Sequence, residues 1–208
     1  MRELLDEESV DRGLRRVAGE ILERHHASRD LVLIGDRRGG VPIAKSIEAW
    51  MQRRESYACP IGSVDITLYR DDAATALANP RIGPSEIPCD LDGKHVVLVD
   101  DVVHTGRTIR AALDALLDYG RPRRIELSAL VDRGGRELPI QPDYLVRRVQ
   151  VASNDRVDVV AGSNGGWLVL ARPYSTPTMA PPPLSPNRAN EDPAVPQDPA
   201  SSSGNGVT

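Results

Sequence analysis

The residues able to do chemistry in this chain crowd into one stretch, "VVLVDDVVHTGRTIRAAL", from Val96 to Leu113. An apolar run ends in two adjacent carboxylates, Asp100 and Asp101. A small polar loop, His104-Thr105-Gly106-Arg107-Thr108, follows them, and helical spacing begins as the loop ends. The loop offers a glycine for close backbone approach and two hydroxyls, and its amides run into a helix N-terminus. Exposed N–H groups there, with the positive end of the helix dipole, suit a phosphate. A ligand that satisfies loop and carboxylates together carries a phosphate at one end and hydroxyls or a metal at the other. Ribose 5-phosphate meets that description, its 2′ and 3′ hydroxyls donating to the acids. Asp100 and Asp101 lie too far ahead of Thr108 to serve as a simple N-cap.

The elements that must hold this segment alternate along the chain. Val10, Leu14, Val17, Ala18, Ile21 and Leu22 fall at helical spacing and predict an amphipathic first helix, with His25-His26 as surface residues at its end. "DLVLIG" (Asp30 to Gly35) reads as a buried strand, and "VPIAKSIEAWMQ" as a helix with Pro42 in its first turn. "SVDITLYR" (Ser63 to Arg70) is a second strand, and residues 71–92 a long irregular loop of the kind that makes lids. Strand 95–99, a helix from Thr108 to Tyr119 and the strand Arg124 to Asp132 follow. "YLVRRVQV" reads as short strand or extended chain, and Asn164-Gly165 marks a closing hairpin. Strands alternating with helices predict an α/β fold with a mainly parallel sheet, in which ligands bind beyond the carboxyl ends of the strands. Asp100 and Asp101 are accordingly expected at that rim rather than inside the core.

Composition bounds the rest. The 208 residues are 40% hydrophobic but hold no Phe and 3% aromatics, so the core must be aliphatic. A formal charge of -4 argues against wholesale coating of nucleic acid, though not against a local basic patch. Cys59 and Cys89 have no CxxC or His-rich context and read as unpaired thiols. No apolar run approaches the roughly 18 residues of a membrane span, and the acidic N-terminus is unlike a signal peptide, which predicts a cytoplasmic protein. The domain is expected to span 1–171. Residues 172–208 carry 9 of the 17 prolines and little apolar mass, the composition of a disordered tail. Neither GxxxxGK[ST] nor GxGxxG is present, which excludes a P-loop and a dinucleotide fingerprint.

"VVLVDDVVHTGRT" resembles the phosphoribosyl pyrophosphate motif of type I phosphoribosyltransferases. "DITLYRDD" (Asp65 to Asp72), "DALLDYGRPRRIELSALVDRG" (Asp114 to Gly134) and "RELPIQPDY" (Arg136 to Tyr144) narrow the likeness to the PyrR family, over roughly residues 5 to 160. That family consists of pyrimidine operon regulators with uracil phosphoribosyltransferase activity. The resemblance implies transfer of phosphoribosyl from phosphoribosyl pyrophosphate to uracil, giving UMP and pyrophosphate, with Mg²⁺ bound mainly through the phosphoribosyl pyrophosphate. It implies that His104, Thr105, Gly106, Arg107 and Thr108 cradle the 5-phosphate and that Asp100, Asp101 and Arg70 are catalytic. It also puts Val131, Asp132 and Arg133 at the nucleobase and makes the loop after Tyr69-Arg70 a lid.

Pyrophosphate falls to Arg37, Arg38 and Gly39. The family's usual Thr-Arg-Gly there has become Arg38-Gly39-Gly40, with Asp36 adding negative charge beside the loop. For RNA the resemblance implies a basic surface of a homodimer or higher assembly that grips a pyr leader stem-loop. Arg15, Arg136 and Arg147 would contribute to it. Gly135, Gln141 and Gly19 stand where the family commonly has His, Arg and His, and "RPRR" (Arg121 to Arg124) reads as a solvated connector. Three readings therefore stay open: transferase with RNA-dependent regulation, nucleotide sensor with little transfer, and transferase without RNA binding.

Overall fold

In the computed structural model, residues 1–26, 28–67, 69 and 85–174 are described. Five strands form the main sheet: β2 (Leu31–Asp36), β3 (Ile61–Val64), β4 (His95–Val103), β5 (Arg124–Asp132) and β6 (Tyr144–Arg148). Their order is β3-β2-β4-β5-β6 and every pair is parallel. The central strands are buried on both faces, as a parallel sheet between helices requires. Leu31, Leu33, Val97 and Val99 pack into one core with α1 (Glu7–His25) and α2 (Gly40–Glu55). Their neighbours Val32, Ile34, Val96 and Leu98 pack on the other face with α3 (Arg107–Leu117). A smaller antiparallel sheet joins β1 (Arg2–Leu5), β8 (Trp167–Pro173) and β7 (Asp155–Ala161) in the order β1-β8-β7. The β7–β8 hairpin turns at Gly162 to Gly166, as Asn164-Gly165 predicts.

Each helix follows local chemistry. Asp6 caps α1 by accepting the Ser9 N–H at 2.8 Å, Glu7 and Glu8 follow in the first turn, and all six apolar positions predicted for its inner face are buried. Pro42 falls in the first turn of α2, where its missing N–H leaves no broken bond. The two thiols are free, Cys59 buried and Cys89 half-buried; burial, above all, pushes the Cys59 thiol up to about 12.

Three boundaries differ from expectation. The strand expected over Ser63 to Arg70 ends at Val64, because the Asp65 carboxylate accepts the Thr67 N–H at 2.8 Å and turns the backbone out of the ladder. Arg70, residues 71–84 of the loop expected over 71–92, and the tail from 175 lie outside the described residues. β4 instead runs on to Val103, since β5 continues beside it and pairs Asp100 with Ala129 and Val102 with Val131. β8 reaches Pro173, past the compositional boundary at 171. No helix among the described residues is long and apolar enough to cross a membrane.

Candidate functional site

The extension of β4 changes the setting of the paired acids. Asp100 is 3% exposed and belongs to the buried interior, not the open rim that its position in the sequence suggested; Asp101 is half-buried. Side chains alternate along a strand, so the two acids serve opposite faces. Asp100 continues the Val96–Leu98 face and lines a cavity of about 140 Å³ with Val102, Val103, His104, Thr105, Gly106, Thr108 and Ile109. Asp101 turns to the α2 side, against Gly39. Burial, then the charges of Asp101 and Asp36, hold the Asp100 carboxyl well above the usual carboxylate range. The amide of Asp101, donating at 3.0 Å, offsets part of this.

The turn at 104–108 closes that cavity. Gly106 is the residue before α3 and carries no side-chain cap, so the first amides of an 11-residue helix point into the space beside Asp100. The Arg107 N–H reaches Thr105 Oγ1 at 3.3 Å, while the Arg107 guanidinium turns away to Glu137 at 2.7 Å. His104 is exposed at the mouth, and partial burial, then the Arg133 charge, lowers its pKa, leaving a neutral imidazole at pH 7.

A strap over residues 133–140 binds this turn, and sequence reasoning missed it. The amides of Glu137 and Leu138 donate to the Thr105 carbonyl at 2.9 and 3.2 Å, and the Arg133 amide to the Val103 carbonyl at 3.1 Å. Arg136 fastens the strap. Its side chain is 13% exposed and reaches Asp132 at 2.9 Å, the His104 carbonyl at 2.8 Å and the Ile140 carbonyl at 2.7 Å. The one legible signal was the i,i+4 spacing of Asp132 and Arg136.

The first loop approaches β4 closely. A Cβ on Gly40 would lie 1.9 Å from the Val99 carbonyl oxygen, and one on Gly39 would lie 2.4 Å from the Asp101 carboxylate. An arginine at 39 would therefore have to displace Asp101. Arg37 and Arg38 are exposed at this loop, and Gly39 ends it as an uncapped N-terminus of α2. Asp36, expected to add negative charge beside this loop, is 3% exposed. Its Oδ2 accepts the Arg38 N–H at 3.2 Å, and its Oδ1 is buried without a partner. Burial above all, opposed by that amide, pushes its pKa up to about 6.

The residues expected at the nucleobase are only partly there. Val131 turns into the core beneath α1 and α2, and Asp132 is 2% exposed between Arg136 and Arg148. Burial alone would raise the Asp132 pKa, but the Gly134 amide and the Arg136 guanidinium hold it below the usual range. Of the three, Arg133 alone keeps a half-exposed side chain at the strand end.

With this geometry in view, comparison with known proteins is informative. Residues 1–161 match the family model of the Phosphoribosyl transferase domain. A "Bifunctional protein PyrR" of Thermoanaerobacter sp. (strain X514) is 51% identical over 158 residues, covering 76% of this chain and 89% of that protein. Another, of Roseiflexus sp. (strain RS-1), is 45% identical over 173 residues, covering 81% and 94%. The chain belongs to the PyrR family of phosphoribosyltransferases. Solved structures share its fold at low identity. A hypoxanthine phosphoribosyltransferase of Trypanosoma cruzi superposes with a TM-score of 0.58 at 21% identity, covering 76% of this chain and 85% of that one. A hypoxanthine-guanine phosphoribosyltransferase of Bacillus anthracis gives 0.57 at 18%, covering 72% and 84%.

Within this PyrR chain the expected RNA residues divide. Arg15 and Arg147 are exposed, Arg15 lying 5.7 Å from the Trp50 ring centre. Arg136 is not an open surface charge, because Asp132 and three carbonyls hold it inside the strap. At Gly135 the backbone has φ +75, which a histidine rarely adopts, and a Cβ would lie 2.8 Å from the His104 ring. Over Gly19 lies the Arg54 guanidinium, 2.6 Å from where a Cβ would be. His25 is a further correction: it is buried, and its Nε2 meets Glu126 at 2.7 Å. Glu126 also receives Tyr144 Oη at 2.8 Å, Arg124 at 2.9 Å and Arg24 at 3.2 Å.

Proposed function

We propose that this chain binds a ribose 5-phosphate at the turn 104–108 and transfers phosphoribosyl from phosphoribosyl pyrophosphate to uracil, and that it regulates pyrimidine genes through leader RNA. One observation carries the reading of the site: the buried Asp100 carboxylate and the uncapped α3 amides line one small cavity. The amides take the phosphate, and Asp100 and Asp101 accept hydrogen bonds from the ribose hydroxyls. In the reaction the bond from C1 to pyrophosphate oxygen breaks as C1 bonds to the uracil nitrogen, whose proton departs. Positive charge grows at the sugar on the way, as in glycoside chemistry. An ionised Asp100 without a ligand is poorly stabilised, being buried beside two further acids. Ribose hydroxyls and the growing positive charge both favour its ionised form, and the second operates most strongly in the transition state.

Among the described residues no group of three or more His, Cys, Asp or Glu side chains is arranged to hold a metal. Mg²⁺ is accordingly treated as part of the substrate, bound through pyrophosphate and neutralising it as it leaves. Arg37 and Arg38, exposed at the α2 entrance, face the pyrophosphate. Arg133 stands nearest the base. Arg15 and Arg147 supply charge to RNA, on a surface completed by self-association. A second reading, a nucleotide sensor with weak transfer, draws on Asp36, which puts an extra carboxylate beside the first loop.

The direct test supplies purified protein with labelled uracil, phosphoribosyl pyrophosphate and Mg²⁺. UMP is the expected product, and the double substitution Asp100→Asn with Asp101→Asn should abolish it while leaving the far-ultraviolet spectrum unchanged. Intact UMP binding without UMP formation would leave only the sensor, and unchanged turnover in the double variant would overturn the role of the acids.

A further inference from the structure

The site presents two places for anions. One is the N-terminus of α3; the other is the N-terminus of α2, uncapped at Gly39 and reached by the exposed Arg37 and Arg38. They follow adjacent strands, β4 and β2, so a ligand with an anion at each end can span them. Between them stands a group that fits neither anion. Asp36 continues the Val32–Ile34 face, just as Asp100 continues the Val96–Leu98 face, so both acids lie on the α3 side of adjacent strands. Asp36 makes one hydrogen bond, from the Arg38 amide within the anion loop itself, and its other oxygen is buried and unpartnered. No guanidinium or ammonium is paired with it among the described residues.

We infer that Asp36 is a specificity-determining residue that biases this site toward a nucleoside monophosphate and against the pyrophosphate end of phosphoribosyl pyrophosphate. The inference rests on the ribose-phosphate reading above. A monophosphate occupies only the α3 end and leaves Asp36 with its loop amide. A pyrophosphate at the α2 end competes for the same loop amides and faces the charge of a carboxylate that is itself 3% exposed and so weakly screened. The groups facing Asp36 are Asp100 and Asp101 from β4, Asp65 after β3 and Arg38 from its own loop. Three of the four are acids, so the surroundings do not neutralise it. Its pKa of about 6 makes the effect dependent on pH. Pyrophosphate binding raises that pKa further, so affinity for the pyrophosphate ligand falls as pH rises upward from about 6 and is level below it.

The test measures equilibrium binding of UMP, phosphoribosyl pyrophosphate and inorganic pyrophosphate, each with Mg²⁺, to the full chain and to Asp36→Asn. At pH 8 the substitution is expected to tighten both pyrophosphate ligands about tenfold, roughly 1.4 kcal/mol, and to leave UMP within a factor of two. At pH 5.5 the two proteins should converge. Comparing them at each pH cancels the titration of the ligands' own phosphates. Equal affinities for the pyrophosphate ligands in both proteins at pH 8 would overturn the inference. So would weaker binding in the variant, which would mean that the carboxylate recruits a cation to pyrophosphate. If Asp36→Asn does not fold, the unmodified chain decides: pyrophosphate affinity that stays level relative to UMP between pH 5.5 and 8, after correction for ligand titration, sinks the inference. Failure of the underlying reading looks different, because UMP would then not bind at the turn at all and Thr105→Val would leave its affinity unchanged.

Discussion

Arg136 joins stability to the site more tightly than any other single residue of the strap, and Arg136→Ala tests that. The substitution removes the Asp132 pair at 2.9 Å and three bonds to carbonyls, of His104, Ile140 and Val103. Breaking a buried ion pair by deleting one partner costs about 3–5 kcal/mol. Here Asp132 keeps the Gly134 amide and Arg148, and the carbonyls lie close enough to solvent to find water, so the low end, about 3 kcal/mol, is the working value. For a domain of this size that corresponds to a Tm lower by about 6–12 °C. In urea the midpoint should fall with an unchanged slope, because the folded surface is nearly the same. Arg136→Lys keeps a cation near Asp132 but loses the planar fork, and should fall between. UMP affinity should drop alongside stability, since the Thr105 turn hangs from the same strap. A stability loss under about 1 kcal/mol in the alanine variant would refute the strap. An unchanged urea midpoint with weakened leader-RNA binding would restore Arg136 to the surface role its charge first suggested.

Other substitutions probe the rest of the scaffold. Asp100→Asn should raise Tm at pH 7 while abolishing UMP formation: a carboxyl whose folded-state pKa is raised withdraws stability as pH climbs above the unfolded value near 4. The gain should vanish by pH 4, and a gain independent of pH would show that charge is not its source. Glu126→Gln should cost about 2 kcal/mol at pH 7, because the buried His25 ring and Tyr144 hydroxyl lose a charged partner while the half-exposed Arg24 and Arg124 keep water. Burial would raise the Glu126 pKa, but Tyr144, His25 and Arg24 bonds hold it low, so its contribution is present above about pH 4.5 and lost as pH falls through the folded value. The variant's urea midpoint should therefore change less than the parent's between pH 5 and 3, and parallel curves would contradict this. Gly40→Ala should cost about 3 kcal/mol by driving a methyl into the Val99 carbonyl, read as a lower urea midpoint. An unchanged midpoint would mean that α2 does not pack on β4 as described.

The sheet was legible because parallel strands buried on both faces must be continuous apolar runs, and "LVLIG", "VVLV" and "IELSALV" leave little else for those residues to be. The turn at 104–108 was legible for a related reason, since a glycine and two hydroxyls before helical spacing define a local shape. Where local sequence does not decide, expectation failed. β4 outruns Val99 because β5 offers it partners, a fact carried by residues 129–132. His25 is buried because Glu126, 101 positions away, meets it at the foot of the sheet. Arg136 looked like RNA charge because a sequence does not say which way a guanidinium turns. The burial of Asp36 was not legible because nothing in "IGDRRGG" shows that Asp101 and Asp65 approach it from other elements.

The contrast among the buried acids is the strongest structural argument for where ligands go. Glu126 and Asp132, each 2% exposed, are matched by cations: Arg24 and Arg124 for the first, Arg136 and Arg148 for the second. A fold able to neutralise those charges is under no general constraint that forces it to strand others. Asp36 and Asp100, 3% exposed, nonetheless receive backbone amides and, among the described residues, no paired cation. Each unmatched charge destabilises the protein by itself, so its persistence points to a partner that arrives from solution. On the proposed function, the partner of Asp100 is a donor of hydroxyl hydrogens that becomes positively charged during reaction. Asp36 is placed differently, because an anion seated at α2 would meet its charge unneutralised. On those proposals the two acids exert opposite influences on one ligand, favouring its sugar and resisting its pyrophosphate.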